Sequence, residues 1–312
     1  MAAKKNVISV SRRTDIPAFY SQWFMNRIKA GFCAYPNTLY PHKYYRVSLL
    51  PKDVLGFVFW TRHAAPLLPH LAELDRLGFA YYFHYTVLGY PKAIDPRSPS
   101  LDVAISTFHA LSKKIGGNKV FWRYDPIVLN MDINSAWHKE NFLRIADALE
   151  GFTTRLVISI IDPYAKTQRR LGVAEDGVLY NPDSYIELLN WLVAEANKRG
   201  ITVQSCAEAS LQIPGITRGS CVDVNLLYSL ADCNTPYKIS LHNQRPGCLC
   251  RKSVDIGANN TCGFGCLYCY ASANHTKALE TLKKHNPEWS AIVADVQFEI
   301  LSAPPIKWLP RA

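Results

Sequence analysis

Short β-rich runs alternate with longer helical patterns along most of the chain, and this alternation constrains the fold more than any other feature. The runs lie at residues 7–11, 55–61, 79–87, 120–124, 156–160 and 201–206. Strands that alternate with helices are typical of βα units around a parallel sheet. Six such units predict an α/β fold built as a partial TIM-type (β/α) barrel.

Apolar spacing and punctuation residues predict where several helices lie. Apolar stripes mark helices at 101–115 and 186–196. The second has Asn181 as a candidate cap, Pro182 in its first turn and Gly200 at its end. A further helix is predicted at about 276–284. Residues 33–50 are rich in Tyr and Pro and are predicted to be irregular.

The pattern changes after residue 209. Residues 210–252 contain four cysteines and only one short helical stretch, near 224–231, which predicts a loop-rich segment organised by metal. Residues 253–257 then predict one more strand, followed directly by a cysteine loop. We therefore divide one integrated domain into barrel units at 1–209, a cysteine-rich segment at 210–252, and a closing part at 253–312.

Composition indicates a globular protein of the cytoplasm. The chain has 312 residues, of which 48% are hydrophobic, and no apolar stretch reaches membrane-spanning length. We expect no signal peptide and no membrane partner. Because thiols stay reduced in the cytoplasm, the nine cysteines are interpreted as metal ligands before disulfides.

Three cysteines form one short run, Cys262, Cys266 and Cys269, with the spacing Cys-x3-Cys-x2-Cys. Three thiolates from one loop can hold three irons of a 4Fe-4S cluster and leave the fourth iron open for chemistry. The alternatives are a zinc site, which favours Cys-x2-Cys pairs, and a ferredoxin loop, which needs a fourth ligand nearby. The spacing favours the cluster with an open iron.

The remaining cysteines suggest a second metal site. Four of them are enough for a complete tetrahedral set: Cys206, Cys221, Cys248 and Cys250. We predict an auxiliary 4Fe-4S cluster, with a zinc site or unrelated buried thiols as alternatives. Cys233 could replace one member, and Cys33 is most simply a small core residue.

Charged residues accumulate at the predicted carboxyl ends of the strands, where (β/α) barrels place their active sites. Arg123 and Asp125 alternate by two, so both side chains can point into the barrel. Glu208 follows the sixth strand. We name these three as candidate catalytic residues; the alternative is a buried Arg-Asp pair that only closes the core.

The order of strand, Cys-x3-Cys-x2-Cys loop and helix resembles the radical S-adenosylmethionine superfamily. In that superfamily the loop follows the first strand of a partial barrel, whereas here it comes last. The resemblance implies a circularly permuted barrel in which 253–257 takes the place of the first strand and 7–11 that of the second.

The same resemblance implies a chemistry. S-adenosylmethionine would chelate the open iron through its amino and carboxylate groups, and reduction would cleave it to a 5′-deoxyadenosyl radical that abstracts hydrogen from a substrate. Tyr268 would lie beside the adenine. The expected Gly-Gly-Glu is replaced here by a run that supplies four candidate cofactor-binding residues: Ser11, Arg12, Arg13 and Asp15. A reducing partner such as flavodoxin or ferredoxin is also implied.

A second resemblance covers nearly the whole chain. It rests on Ser-Val-Ser-Arg-Arg-Thr-Asp-Ile-Pro at 9–17, Trp-Arg-Tyr-Asp-Pro at 122–126, Cys-Ala-Glu at 206–208, and the stretch from Asn-Gln-Arg at 243–245 to Cys-Tyr-Ala at 269–271. These resemble a domain-of-unknown-function family whose members are labelled DNA repair photolyase by similarity to spore photoproduct lyase. The label implies lesion repair.

The net charge bears on the substrate. The chain has 35 basic and 25 acidic residues, a formal charge of +10, which suits an anionic partner such as nucleic acid. Together with the family label, this charge gives the first hypothesis, which is lesion repair or base modification of nucleic acid. The second hypothesis is a small anionic metabolite or peptide held by Arg12, Arg13 and Arg123. A third is a non-catalytic iron-sulfur or zinc protein.

Overall fold

A computed structural model describes residues 5–37, 39–40, 42–162, 164–172, 182–205, 213–232, 238–242 and 248–297. The strands in these ranges are β1 Asn6–Val10, β2 Phe32–Pro36, β3 Tyr44–Ser48, β4 Val54–Thr61, β5 Tyr81–Thr86, β6 Val120–Ile127, β7 Arg155–Ile160, β8 Thr202–Ser205, β9 Ile216–Arg218 and β10 Val254–Asp255. The α-helices are α1 Ile16–Phe19, α2 Ser21–Ala30, α3 Leu71–Arg76, α4 Leu101–Ile115, α5 Ser135–Leu149, α6 Ala165–Leu171, α7 Ile186–Lys198, α8 Val224–Leu230 and α9 His275–Lys284.

Eight strands form one parallel sheet in the order β10-β1-β4-β5-β6-β7-β8-β9. The prediction of an α/β fold with a parallel sheet is confirmed, and the order is compatible with a partial barrel. Each of the predicted strands is present with shifted ends. The last is the shortest, because only Val254 and Asp255 pair with β1.

The two faces of this sheet are covered by different parts of the chain. Alternate strand residues such as Phe57, Phe83 and Trp122 join the large cluster packed with the helices. Their neighbours on the other face, such as Val58 and Phe121, form a separate cluster with residues of α8 and the segment before it. The described part of the cysteine-rich segment therefore packs against the face of the sheet opposite the large cluster.

One prediction about local structure is wrong. Residues 33–50 are not irregular, because β2 and β3 pair as an antiparallel hairpin that buries Cys33 and Val47. The hairpin also docks through the Ala34 N–H, which donates to Ser290 O at 2.8 Å. In addition, the loop-rich segment contributes β9, which pairs with β8. The β2–β3 and β8–β9 pairings each join two segments of the chain, and the local sequence pattern does not show which segments pair.

The predicted helices at 101–115, 224–231 and 276–284 are present as α4, α8 and α9. The helix predicted at 186–196 begins its α-helical part at Ile186, because Pro182–Tyr185 form a 3₁₀ turn that leads into it. Its predicted cap, Asn181, lies outside the described residues. No described helix is long and apolar enough to cross a membrane.

Candidate functional site

A cavity of about 490 Å³ lies where the carboxyl ends of the strands meet the cysteine loop. Its size falls in the range of small-molecule sites, about 300–1,000 Å³. The segment after β1, the ends of β4 and β6, and the loop after β10 all contribute to its wall. The cavity therefore occupies the edge of the sheet at which parallel α/β folds bind ligands.

The three cysteines of the C-terminal loop all line this cavity. Burial, followed by the charge of Asp15, raises the pKa of Cys262 to about 12. Burial also raises the pKa of Cys266 well above its usual value, and Asp95 adds to the effect. The raised pKa values of Cys262 and Cys266 favour the protonated thiols, so a metal that binds them has to displace their protons.

The three loop thiols are donors that could hold a metal centre at this cavity. A single zinc with bonds of 2.3 Å brings its thiolates to about 3.8 Å from each other by tetrahedral geometry. Among the described residues, no group of three or more His, Cys, Asp and Glu side chains is arranged to hold one metal ion. In a cubane each cysteine ligates a different iron, which suits three thiols spread along one loop. No described cysteine forms a disulfide.

Asp255, at the end of β10, organises the segment that was predicted to bind the cofactor. Its carboxylate accepts from Ser11 Oγ at 2.5 Å, from Arg12 N at 2.8 Å and from Arg13 Nε at 3.3 Å. Burial acts to raise the pKa of Asp255, but Arg13 and Arg12 hold it below its usual value. Ser11 and Arg13 therefore line the cavity while their polar groups are engaged by the protein.

Arg12 and Asp15 take different roles at this wall. The Arg12 guanidinium lies 5.2 Å from the centroid of the Trp60 ring and donates a long hydrogen bond of 3.5 Å to Ser253 Oγ. Asp15 caps α1 through the Ala18 N–H and accepts from Thr61 Oγ1 at 2.8 Å. The Arg12 guanidinium therefore has N–H donors to offer a ligand in the cavity, whereas the Asp15 carboxylate is engaged by neighbouring donors of the protein.

Two of the predicted catalytic residues face the cavity, as their alternation predicts. Arg123 forms an ion pair with Asp125, and Asp125 also accepts from Ser159 Oγ. The Arg123 guanidinium reaches Cys221 Sγ at 3.4 Å. The pair is therefore part of the cavity wall beside a cysteine. The third predicted residue, Glu208, lies outside the described residues.

The second cysteine group meets at the same cavity. Cys221, Cys248 and Cys250 all line it, and hydrogen bonds with Cys221 and Cys248 lower the pKa of Cys250 far below its usual value. The Cys221 carbonyl accepts from Tyr82 Oη at 2.7 Å and from His84 Nε2 at 2.8 Å. Side chains of β5 thus fix the position of Cys221.

Among the described residues, one further cysteine, Cys33, lies apart from both groups. The predicted fourth member, Cys206, and its substitute Cys233 lie outside the described residues. Cys33 is fully buried among apolar side chains in β2, as predicted for a small core residue. Six described cysteines therefore line one cavity in two groups of three.

Comparison with known proteins identifies the family. The family model described as "Domain of unknown function (DUF1848)" matches residues 7–271, which is most of the chain. The chain belongs to the DUF1848 family. The match runs from the second residue of β1 to beyond the last of the three loop cysteines. No curated protein matches this DUF1848 chain.

One solved structure gives a distant likeness. It is a pneumococcal structure described as "Inhibition of the pneumococcal virulence factor StrH and molecular insights into N-glycan recognition and hydrolysis". The identity is 14% and the TM-score 0.25, over 66% of the DUF1848 chain and 54% of the other. The chain thus spans about half the length of that protein, and the likeness supports no conclusion about fold or function.

Two of the residues around Cys266, Arg62 and Asp95, were not among the predicted site residues. Arg62 follows β4, and its guanidinium forms a bidentate ion pair with Asp95 at 2.6 and 3.1 Å. Tyr268, predicted to lie beside an adenine, lines the cavity and donates its hydroxyl to Asp95 at 2.8 Å. The position of Arg62 at a strand end could have identified it as a site residue from sequence. Asp95 lies in a loop without a periodic pattern, so nothing in the sequence marked it.

The cysteine loop of the DUF1848 chain requires glycine at position 265. Gly265 has φ +74°, and a Cβ there would collide with the Arg97 guanidinium. Arg97 cannot simply move away, because its Nε donates to Gly263 O at 2.6 Å. Gly78 has the same φ of +74° with open space around it, which makes it a matched control.

We expect Gly265→Ala to cost more stability than Gly78→Ala. The left-handed conformation costs a side chain about 1–2 kcal/mol at either site. At Gly265 the displaced Arg97 adds the loss of a hydrogen bond, about 1 kcal/mol. Urea unfolding of both variants measures the difference. Equal losses would show that Arg97 does not hold the loop.

Proposed function

We propose that this protein is a radical S-adenosylmethionine enzyme that carries a 4Fe-4S cluster on Cys262, Cys266 and Cys269. The observation that carries the proposal is that all three thiols of a Cys-x3-Cys-x2-Cys loop line one cavity at the carboxyl end of a parallel sheet. With a reduced cluster there, the available chemistry is cleavage of S-adenosylmethionine to a 5′-deoxyadenosyl radical that abstracts hydrogen from a substrate.

We also propose that the barrel is circularly permuted. β10 pairs in parallel with β1, with Ile8 opposite Val254, although the two strands lie at opposite ends of the chain. The cysteine loop follows β10 directly. A permutation that moves the first strand of the barrel to the C-terminus accounts for both facts, because it preserves the order of strands in space.

The residues around the cavity have separate tasks in this proposal. Tyr268 contacts the adenine from beside the loop, and Arg12 binds a carboxylate of the ligand, since its guanidinium has donor capacity left. The Arg123–Asp125 pair faces the substrate from β6. Wall residues such as Ile160 and Phe264 exclude water from the radical.

The second cysteine group is proposed to hold an auxiliary 4Fe-4S cluster. Cys221, Cys248 and Cys250 supply three thiolates, and Cys206 is the candidate for a fourth ligand. Such a cluster carries net negative charge, which the Arg123 guanidinium 3.4 Å from Cys221 Sγ would offset. The electron for either centre would come from a reducing partner such as flavodoxin or ferredoxin.

We propose an anionic substrate. The arginines of the cavity and the formal charge of +10 both support it. A volume of about 490 Å³ favours a small metabolite or peptide end, whereas the overall charge favours nucleic acid that inserts one base. Nucleic-acid binding predicts a log affinity that falls linearly with log salt, and a small substrate does not.

The decisive experiment is anaerobic reconstitution of the full chain followed by reduction with S-adenosylmethionine present. We expect a brown protein and formation of 5′-deoxyadenosine, measured by chromatography. A colourless protein with stoichiometric zinc would overturn the proposal, and so would a brown protein that leaves S-adenosylmethionine intact.

A further inference from the structure

We propose that Arg62 is a positioning residue that donates a hydrogen bond to the Cys266 thiolate and thereby raises the reduction potential of the cluster held by the loop. This inference rests on the proposed function. It assigns to one side chain the control of how readily that cluster accepts an electron.

The contact itself is direct. Arg62 Nη1 lies 3.3 Å from Cys266 Sγ, within hydrogen-bond distance for sulfur. Arg62 follows the end of β4, and its backbone N–H donates to Asp15 Oδ2 at 2.6 Å. The backbone anchor and the side-chain contact together fix the guanidinium against the loop.

The guanidinium is held from the other side by Asp95. The bidentate pair has distances of 2.6 and 3.1 Å, and the Asp95 side chain is only 1% exposed. Tyr268 completes the network, because its hydroxyl donates to Asp95 at 2.8 Å and also contacts Arg62 Nη1. A planar guanidinium pinned by a carboxylate keeps its remaining donors in a fixed direction.

Arg62 has one more N–H donor besides those in the contacts above. Its Nε–H is buried and has no acceptor among the described residues. A buried donor without an acceptor is costly, and negative charge near the guanidinium stabilises the positive charge to which this donor belongs.

The effect on the potential follows from charge. Reduction adds one electron to the cluster, so a cation and a hydrogen bond at a ligand sulfur stabilise the reduced form more than the oxidised form. Asp95 acts in the opposite direction, because its negative charge lies next to the guanidinium and weakens its field. Removing each charge should therefore shift the potential with opposite signs.

The test is a redox titration of the reconstituted full-length protein, followed by electron paramagnetic resonance of the reduced cluster. We expect R62Q to lower the ratio of reduced to oxidised cluster about tenfold at a fixed potential, or ~59 mV for one electron. D95N should raise the ratio. R97Q serves as the control, because Arg97 contacts the same loop at the Gly263 carbonyl and not at sulfur; we expect less than a third of the R62Q shift.

Shifts of R62Q and D95N in the same direction would overturn the role of Arg62, and so would an R97Q shift equal to that of R62Q. If R62Q takes up no iron, D95N decides alone, and an unchanged or lower potential in D95N overturns the inference. Absence of iron from the unmodified protein would instead overturn the proposed function. The two failures are therefore distinguishable.

Discussion

Replacing Cys266 with alanine is expected to remove about four of about eight irons per chain and to abolish formation of 5′-deoxyadenosine. Cys266 lies at the centre of the loop triad and is buried in the cavity wall. With two thiolates left, the loop cannot anchor three irons. Cys250→Ala should also remove about four irons, but from the other group, and the double variant should be colourless.

Cys33→Ala is the matched control for the iron counts. Cys33 is as buried as Cys266 but lies in the core of the β2–β3 hairpin, so its loss should cost stability without changing iron content. The measurement is iron and acid-labile sulfide per chain after anaerobic reconstitution. An unchanged iron count in Cys266→Ala would contradict the assignment of the loop. Loss of one zinc from Cys250→Ala would identify the second site as structural zinc.

Asp255→Ala is expected to lower the free energy of unfolding by about 3–5 kcal/mol. The Asp255 carboxylate accepts five hydrogen bonds, and its side chain is only 16% exposed. The donors are Ser9 Oγ, Ser11 Oγ, Arg12 N, Arg13 Nε and Gly257 N. Alanine would leave these donors without an acceptor and the Arg13 charge without its partner.

Chemical denaturation measures the loss, with Asp102→Ala as the control. Asp102 also pairs with an arginine, Arg144, but its side chain is 84% exposed, so we expect a change of about 0.5 kcal/mol or less. Asp255→Asn keeps an acceptor and should lie between the two. A loss in Asp255→Ala no larger than that of Asp102→Ala would show that β10 is held to β1 by its backbone pairing.

The features predicted correctly from sequence are those that a short stretch of chain determines. Strand positions follow from runs of β-branched and aromatic residues, and the inward direction of Arg123 and Asp125 follows from the period of two. The described cysteines of both groups line one cavity, at the edge of the sheet where the parallel strands end.

The features that could not be predicted from sequence depend on contacts between residues that are far apart in the chain. The β2–β3 hairpin was missed because Tyr and Pro gave a mixed local signal, and β9 because three residues make too short a pattern. Asp95 gained its importance only when the fold brought its loop against Arg62, 33 positions away. The packing of α8 against one face of the sheet likewise depends on the fit of side chains in three dimensions, which the order of residues along the chain does not show.

The place of β1 between β4 and β10 has a consequence for biosynthesis. β1 leaves the ribosome long before β10, because Val254, with which Ile8 pairs, is made 246 residues later. At about 5–20 residues per second, one edge of β1 waits roughly 12–50 s for its partner. The cysteine loop follows β10, so its three thiols reach their place only after the rest of the sheet can already have formed. Insertion of the proposed cluster would therefore be a late event, and a nascent chain interrupted before residue 254 would present an unpaired strand edge to chaperones.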